Sequence, residues 1–182
     1  GKGMDRIHMK KSEKLGYFDS RPTYEDWEKI GSFRRLHVYV DRSMDGFMEI
    51  EVVDPTVTHG RSPQRLKRVL YINLSRTKFK AWHVDITKLD KSYAGRGIAA
   101  QAYRYIIKKL GITLQAGECQ SKGGRKLWYD LAQIMDLQLF AKSKASRRYE
   151  VGIDCENREV WLPNGKEVYD TEKEMYVFAA AF

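Results

Sequence analysis

The 182-residue sequence predicts a mixed α/β (α+β) fold, a mostly antiparallel central sheet with flanking helices. Three observations lead there. Short runs rich in β-branched and aromatic residues recur between turn signals such as Asp45-Gly46 and Pro163-Asn164-Gly165, the pattern of antiparallel hairpins. In the middle of the chain an alternating run, Trp82-His83-Val84-Asp85-Ile86-Thr87, passes through Ala94-Gly95-Arg96-Gly97 into an amphipathic helix and a second apolar run. That is a β-loop-α-β crossover. Finally, 42% hydrophobic and 31% charged residues supply a packed core and exclude wholesale disorder.

Length suggests one domain over residues 22–182, preceded by a polar tail at 9–21. Residues 1–8 read as a cloning remnant, with Met9-Lys10-Lys11 as a natural start. Lys plus Arg number 33 against 24 Asp plus Glu, a net charge of +9. Such a charge suits an anionic partner, whether nucleic acid, a nucleotide cofactor or an acidic protein, and a simply soluble basic surface accounts for it equally well. Cys119 and Cys155 stand in no CxxC or His-rich pattern, so no metal site is expected. Reduced thiols in a cytoplasmic protein are the simpler reading, and a disulfide between the two stays open. No apolar run is long enough to span a bilayer, and the start lacks a secretory apolar region, so no membrane partner is expected.

Taken in order, 22–30 reads as a short helix: Pro22 opens it, Glu25 and Asp26 occupy its first turn and Gly31 stops it. Residues 33–40 and 47–53 form a hairpin, with Met48, Ile50 and Val52 on one face and Phe47, Glu49, Glu51 and Val53 on the other. Pro55, Gly60 and Pro63 make 54–64 a loop, whose His59 and Arg61, with Arg65 just beyond, are candidate substrate contacts or plain solvated residues. Strands at 65–74 and 79–87 follow. In the second, Trp82, Val84 and Ile86 share one face, while His83 and Asp85 lie side by side on the other. From Ile98 the apolar positions Ala102, Tyr105, Ile106 and Leu110 recur at helical spacing, Lys108 and Lys109 occupy the last turn and Gly111 ends the helix. A strand at 112–117, a helix marked by Leu127, Leu131, Ile134 and Met135, and a strand at 137–141 come next. Lys142, Lys144, Arg147 and Arg148 give a basic loop, either a nucleic-acid patch or a solvated connector. Short strands at 149–153, 159–162 and 166–169 and a final apolar strand at 175–182 complete the chain.

The chemistry concentrates at 85–131. A loop of small residues opening a helix presents backbone N–H groups to an anion. Ala94-Gly95-Arg96-Gly97-Ile98-Ala99 has neither the spacing of a dinucleotide fold nor that of a P-loop. It resembles the pyrophosphate loop of the GCN5-related N-acetyltransferase (GNAT) superfamily, Arg/Gln-x-x-Gly-x-Gly/Ala, which Gly97 and Ala99 match and where Ala94 replaces the usual Arg or Gln. Ser121-x-x-Gly124-x-x-Leu127-Trp128 keeps the spacing of that family's Asn-x-x-Ala-x-x-Leu-Tyr, with Trp128 in the place of a tyrosine that can protonate a thiolate. This variant is similar to acetyltransferase-like proteins of bacteriophages, for which the setting would be the host cytoplasm. The resemblance covers about 33–182, and its specific part is 82–131.

The resemblance implies acetyl-CoA as cofactor, held by Lys88 and Leu89, by the loop Ala94, Gly95, Arg96, Gly97, Ile98 and Ala99, and by Ser121 and Trp128. It implies acetyl transfer to an amine of unspecified kind on a protein, a nucleic acid or a small molecule. Candidate catalytic groups are Asp85 and His83, Glu118 at the end of the next strand, and Tyr129, which sits about 100° round the helix from Trp128. Each of these also has a plain structural reading. The second reading is a GNAT scaffold with reduced catalysis that binds nucleic acid or a host protein.

Overall fold

The computed structural model describes residues 17–19, 22–59, 62–117, 120–161 and 175–182. Strands β1 (Glu28–Phe33) and β2 (Leu36–Asp41) form a hairpin, followed by the long pair β3 (Phe47–His59) and β4 (Ser62–Arg76), then β5 (Trp82–Leu89). A 3-10 turn at Lys91–Tyr93 leads through the glycine loop into helix α1 (Ile98–Leu110) and the two-residue strand β6 (Leu114–Gln115). Helix α2 (Lys122–Ala132) precedes β7 (Leu137–Ser143), β8 (Arg148–Glu150), β9 (Gly152–Asp154), β10 (Glu159–Trp161) and β11 (Met175–Ala181). Among the described residues the main sheet runs β1-β2-β3-β4-β5-β6-β11-β7-β8, and β9 pairs with β10 apart from it. Every pairing in the main sheet is antiparallel except β5 with β6. This is the mixed, mostly antiparallel architecture with a central β-loop-α-β unit that the sequence predicts. No helix among the described residues is long and apolar enough to cross a membrane.

The pleat divides the sheet into two faces. Val38, Val40, Met48, Ile50, Val52, Leu70, Ile72, Leu74, Leu114, Val177 and Ala179 form one core with Ala102, Tyr103, Ile106 and Ile107 of α1 and Trp128 and Leu131 of α2. Each buried Leu, Ile or Val stabilises this layer by roughly 1.5–3 kcal/mol relative to exposure. The far face carries a separate cluster of Ala81, Phe140 and Phe178. It also carries Glu51, only 2% exposed, which accepts hydrogen bonds from the hydroxyls of Tyr17 (2.6 Å) and Tyr24 and from Arg68 Nε (3.1 Å). Burial first, then the Glu51 carboxylate, pushes both tyrosine pKa values far up, so the phenols stay protonated donors.

Local signals were overruled at the N-terminal end. Residues 22–30 form a turn and the start of β1, not a helix. Tyr24 adopts φ 59, stacks on Tyr39 at 4.5 Å and sends its hydroxyl to Glu51, so tertiary contacts outweigh helix-start chemistry. Gly31 stops no helix: a Cβ there would collide with the Tyr105 hydroxyl, and φ is +144. The strand expected at 33–40 is two strands joined by Arg34-Arg35, both at positive φ. The expected loop at 54–64 is largely strand, with register shifts at Val52/Val53 and around Thr58 absorbing the prolines. Arg61, and the side chains of His59 and Arg65, lie outside the described residues, as do 162–174 with the expected strand at 166–169. The strand expected at 112–117 is reduced to Leu114–Gln115. Within the tail placed at 9–21, Tyr17–Asp19 forms a 3-10 turn whose Tyr17 docks on the sheet.

One buried ion pair gives a pH signature. Asp90 at the end of β5 pairs with Lys67, whose residue is 8% exposed. Burial alone would raise the Asp90 carboxyl, but the bonds from Lys67 and Ser92 overcome it and hold it below the usual range. A carboxyl depressed in the folded state contributes stability that is present above about pH 4 and is lost as pH falls through its folded value. Thermal melts from pH 7 to pH 2.5 should therefore show a steeper loss of Tm below about pH 4 in the wild type than in Asp90→Asn, which keeps the capping bond to Ser92 N. Parallel curves would remove this pair from the account.

Candidate functional site

Strands β5 and β6 pair only at Trp82–Leu114 and His83–Gln115. Beyond those two residues they diverge, and β5 runs on from Val84 to Leu89 with only β4 beside it. Gly117 sits where the divergence begins, with the Val84 carbonyl 3.2 Å from the place a Cβ would take. The gap is a cleft of about 760 Å³, walled by the edge of β5 from His83 to Leu89, by Ala99 and Tyr103 of α1, and by Gln120, Ser121, Gly124, Leu127 and Trp128 at α2.

The register of β4 against β5 pairs Leu74 with Val84 and Asn73 with Ile86, so Asp85 is an extra residue, a β-bulge. The bulge reverses the alternation beyond it. Ile86, expected on the core face with Trp82 and Val84, is 41% exposed, and Thr87 turns inward to hydrogen-bond the Tyr103 hydroxyl. His83 and Asp85 do meet: Nδ1 lies 2.6 Å from Asp85 Oδ1, which also accepts from Ser75 Oγ at 3.1 Å. With Nδ1–H donated to the carboxylate, the neutral ring presents Nε2 as a proton acceptor. Both side chains line the cleft.

Two residues before Ala99 of the cleft wall, Gly97 caps α1 in the left-handed region (φ 70, ψ 17) with no side-chain cap. The first amide of the helix to reach a backbone acceptor is Gln101 N, to Gly97 O at 3.2 Å, so the amides of Ile98, Ala99 and Ala100 remain to serve an anion. A Cβ on Gly95 (φ 77) or Gly97 would meet nothing within 4 Å, which leaves room before the loop. The loop is held from behind. Tyr93 donates to Asp54 Oδ2 at 2.7 Å, Arg34 reaches the Arg96 carbonyl, and Arg96 lies over the Tyr93 ring at 5.0 Å. Burial first, then the Asp54 bond, pushes the Tyr93 pKa up to about 12.

Among the candidate residues, Lys88, Leu89, Ala99, Ser121 and Trp128 line the same cleft as His83 and Asp85. Arg96 and Ile98 line a neighbouring hollow of about 270 Å³ with Arg34, Arg35, Asp54 and Tyr93, and Ala94, Gly95 and Gly97 line neither. Ser121 is the N-cap of α2 and accepts from Gly124 N at 3.2 Å, with its own hydroxyl proton still free to donate. Trp128 is 2% exposed and meets Tyr103 edge to face at 6.3 Å. Tyr129 does not line the cleft: partial burial, then Cys155 beside it, raises its pKa. Glu118 and Cys119 lie outside the described residues. Two groups were not singled out from the sequence. Tyr103, buried on the core side of α1, turns its hydroxyl to Thr87 at the cleft wall, and burial raises its pKa, so it remains a neutral O–H donor. Gln120 Oε1 is buried at the same cleft and has no partner among the described residues.

No protein-family model matches the sequence, and no curated protein matches it. Three solved structures are similar. A ribosomal-protein alanine N-acetyltransferase from Escherichia coli is 11% identical over 76% of this chain and 71% of its own, with TM-score 0.37. An IAA acetyltransferase from Bacillus cereus is 16% identical over 75% and 79%, with TM-score 0.37. A Bacteroides thetaiotaomicron protein assigned to the GNAT family of acetyltransferases is 11% identical over 99% and 84%, with TM-score 0.34. At such identities and scores the likeness says nothing by itself about activity.

Proposed function

We propose that the protein is an N-acetyltransferase of the GNAT type that uses acetyl-CoA. The observation that carries this is the splayed β5–β6 pair, whose cleft is closed by two helices and ends at the uncapped first turn of α1. Such a cleft fits a long thin ligand with an anionic middle. The amides of Ile98, Ala99 and Ala100 suit the diphosphate. The β5 edge at Lys88 and Leu89, the Ser121 hydroxyl and the unpartnered Gln120 Oε1 suit the amide-bearing arm, whose N–H and C=O groups need partners in a confined site. Bound there, acetyl-CoA would supply an acetyl group already activated as a thioester. His83 Nε2 takes the proton that the acceptor amine must lose, and Asp85, steadied by Ser75, fixes the ring and compensates its charge. The Tyr103 hydroxyl is a neutral O–H donor at the cleft wall, suited to a departing thiolate.

Gly97 tests the cofactor half. Asn and Asp both tolerate the left-handed conformation, so Gly97→Asn and Gly97→Asp differ chiefly in a charge placed beside the helix N-terminus. Gly97→Asp should bind acetyl-CoA at least about tenfold more weakly than Gly97→Asn, about 1.4 kcal/mol. Equal affinities would mean that the loop holds no anion. Release of CoA, followed with a thiol reagent across protein N-termini, lysine peptides, polyamines and nucleic acids, tests the transfer itself. The second reading, a scaffold that binds without turning over, draws on Trp128 in place of a tyrosine and on Ala94. Acetyl-CoA binding with no CoA release across that panel would select it.

A further inference from the structure

His83, Gln115, Phe178 and Phe140 are partners across four neighbouring strands, β5, β6, β11 and β7. Paired residues share a face, so the His83–Asp85 dyad and the far-face aromatic cluster lie on the same side of the sheet, with the buried Gln115 and Phe178 between them. Successive strands are about 4.8 Å apart, which puts Phe140 on the order of 15 Å from His83. Phe140 and Phe178 stack at 5.4 Å, and Phe79 from the turn after β4 closes against Phe178 at 5.4 Å and Tyr176 at 5.2 Å. That packing brings together two segments far apart in sequence, the β4–β5 turn with Lys78 and Lys80 and the β7–β8 hairpin with Lys142 and Arg148.

The cations sit on the aromatic surface. Arg148 lies 4.0 Å over Phe140, Lys142 is 5.8 Å from Phe140 and 5.7 Å from Phe178, and Lys78 is 5.2 Å from Phe79. Among the described residues none of the four cations Lys78, Lys80, Lys142 and Arg148 is in an ion pair, whereas Arg42, Lys67, Arg104 and Lys108 all are. Glu150 is the acid in register with Phe140, and Asp85 is engaged by His83 and Ser75. Unpaired guanidinium and ammonium groups at this density produce a strong positive field, and the half-buried rings of Phe79 and Tyr176, packed against the buried Phe140 and Phe178, add a stacking surface.

We propose that this face seats a nucleic acid, its phosphates on the cations of the β4–β5 turn and the β7–β8 hairpin, so that the strand runs past the His83–Asp85 dyad. The seat stands independently of acetyl transfer; its role in bringing an acceptor amine to the dyad rests on that reading. Unpaired cations flanking half-buried rings match a regularly spaced polyanion with flat bases better than an acidic peptide.

Fluorescence anisotropy with labelled 20-mer single-stranded and duplex oligonucleotides tests it on the full chain. Binding is expected at 50 mM salt and should weaken steeply, with a log–log slope of about −3 to −4 for a single strand meeting about five phosphates. Lys142→Glu/Arg148→Glu and Lys78→Glu/Lys80→Glu should each lower affinity at least about tenfold. Lys29→Glu/Lys109→Glu, with the same change in net charge, should stay within about twofold. Melting temperature and acetyl-CoA titration of the same variants separate this from misfolding and from the cofactor site. No binding at 50 mM salt, no loss in either reversal, or equal binding of polyglutamate would overturn the proposal. Oligonucleotide binding with no acetyl-CoA binding would leave the seat standing and remove the acyl-transfer reading.

Discussion

Asp85→Asn is expected to lower kcat for acetyl transfer by about 100- to 1000-fold while leaving acetyl-CoA affinity within about twofold. The carboxylate has two jobs in the geometry. It accepts Nδ1–H of His83 at 2.6 Å, which fixes the tautomer with Nε2 free, and it offsets the charge the ring acquires when it takes a proton. An amide keeps the shape but does neither well. His83→Ala should cost a similar amount, and the double variant little more, because the two groups act as one unit. Steady-state CoA release against amine concentration is the measurement. A kcat in Asp85→Asn close to the wild type would make the dyad a structural ion pair and move the base elsewhere, with Glu118 the first to test.

Glu51→Gln should produce the largest loss of stability among single changes on the far face, about 3 kcal/mol by urea unfolding, or about 6–12 °C in Tm. Glu51 is almost fully enclosed and is the acceptor shared by Tyr17, Tyr24 and Arg68, with the Arg68 guanidinium 4.4 Å from the centre of the Tyr17 ring. The amide leaves Arg68 half-buried without its counter-charge and gives one of the phenols a donor to face instead of an acceptor. Glu51→Gln/Arg68→Met should recover part of the loss, since removing both charges is less costly than removing one. A cost below about 1 kcal/mol would show that water reaches the cluster and screens it.

Much of the centre of the fold was legible because its signals are local. Gly97 and Gly111 bracket α1 and both adopt the left-handed conformation that favours glycine, with Lys108 and Lys109 in the last turn as the helix dipole prefers. The alternation of Met48, Ile50 and Val52 against Glu49 and Glu51 placed the sheet faces correctly. The period of two also brought His83 and Asp85 together, although it could not show the bulge that sends Ile86 outward and Thr87 inward. What escaped depends on distant partners. Arg34 and Arg35 carry no turn chemistry, yet a two-residue hairpin between Phe33 and Leu36 holds both at positive φ. Tyr24 leaves helical geometry because Glu51 and Tyr39 claim its side chain. Tyr103 sits in a helix the sequence marks, but only the path of β5 shows where its hydroxyl points. The far-face surface needs the strand order β5-β6-β11-β7, which joins residues nearly a hundred positions apart and leaves no trace in any window of the sequence.

Calorimetric titration with acetyl-CoA shows whether the β5–β6 splay and the start of α1 hold the cofactor. One saturable site with a Kd below about 1 mM, displaced by CoA and weakened by Gly97→Asp, is expected. No heat and no rise in melting temperature at millimolar acetyl-CoA would contradict it.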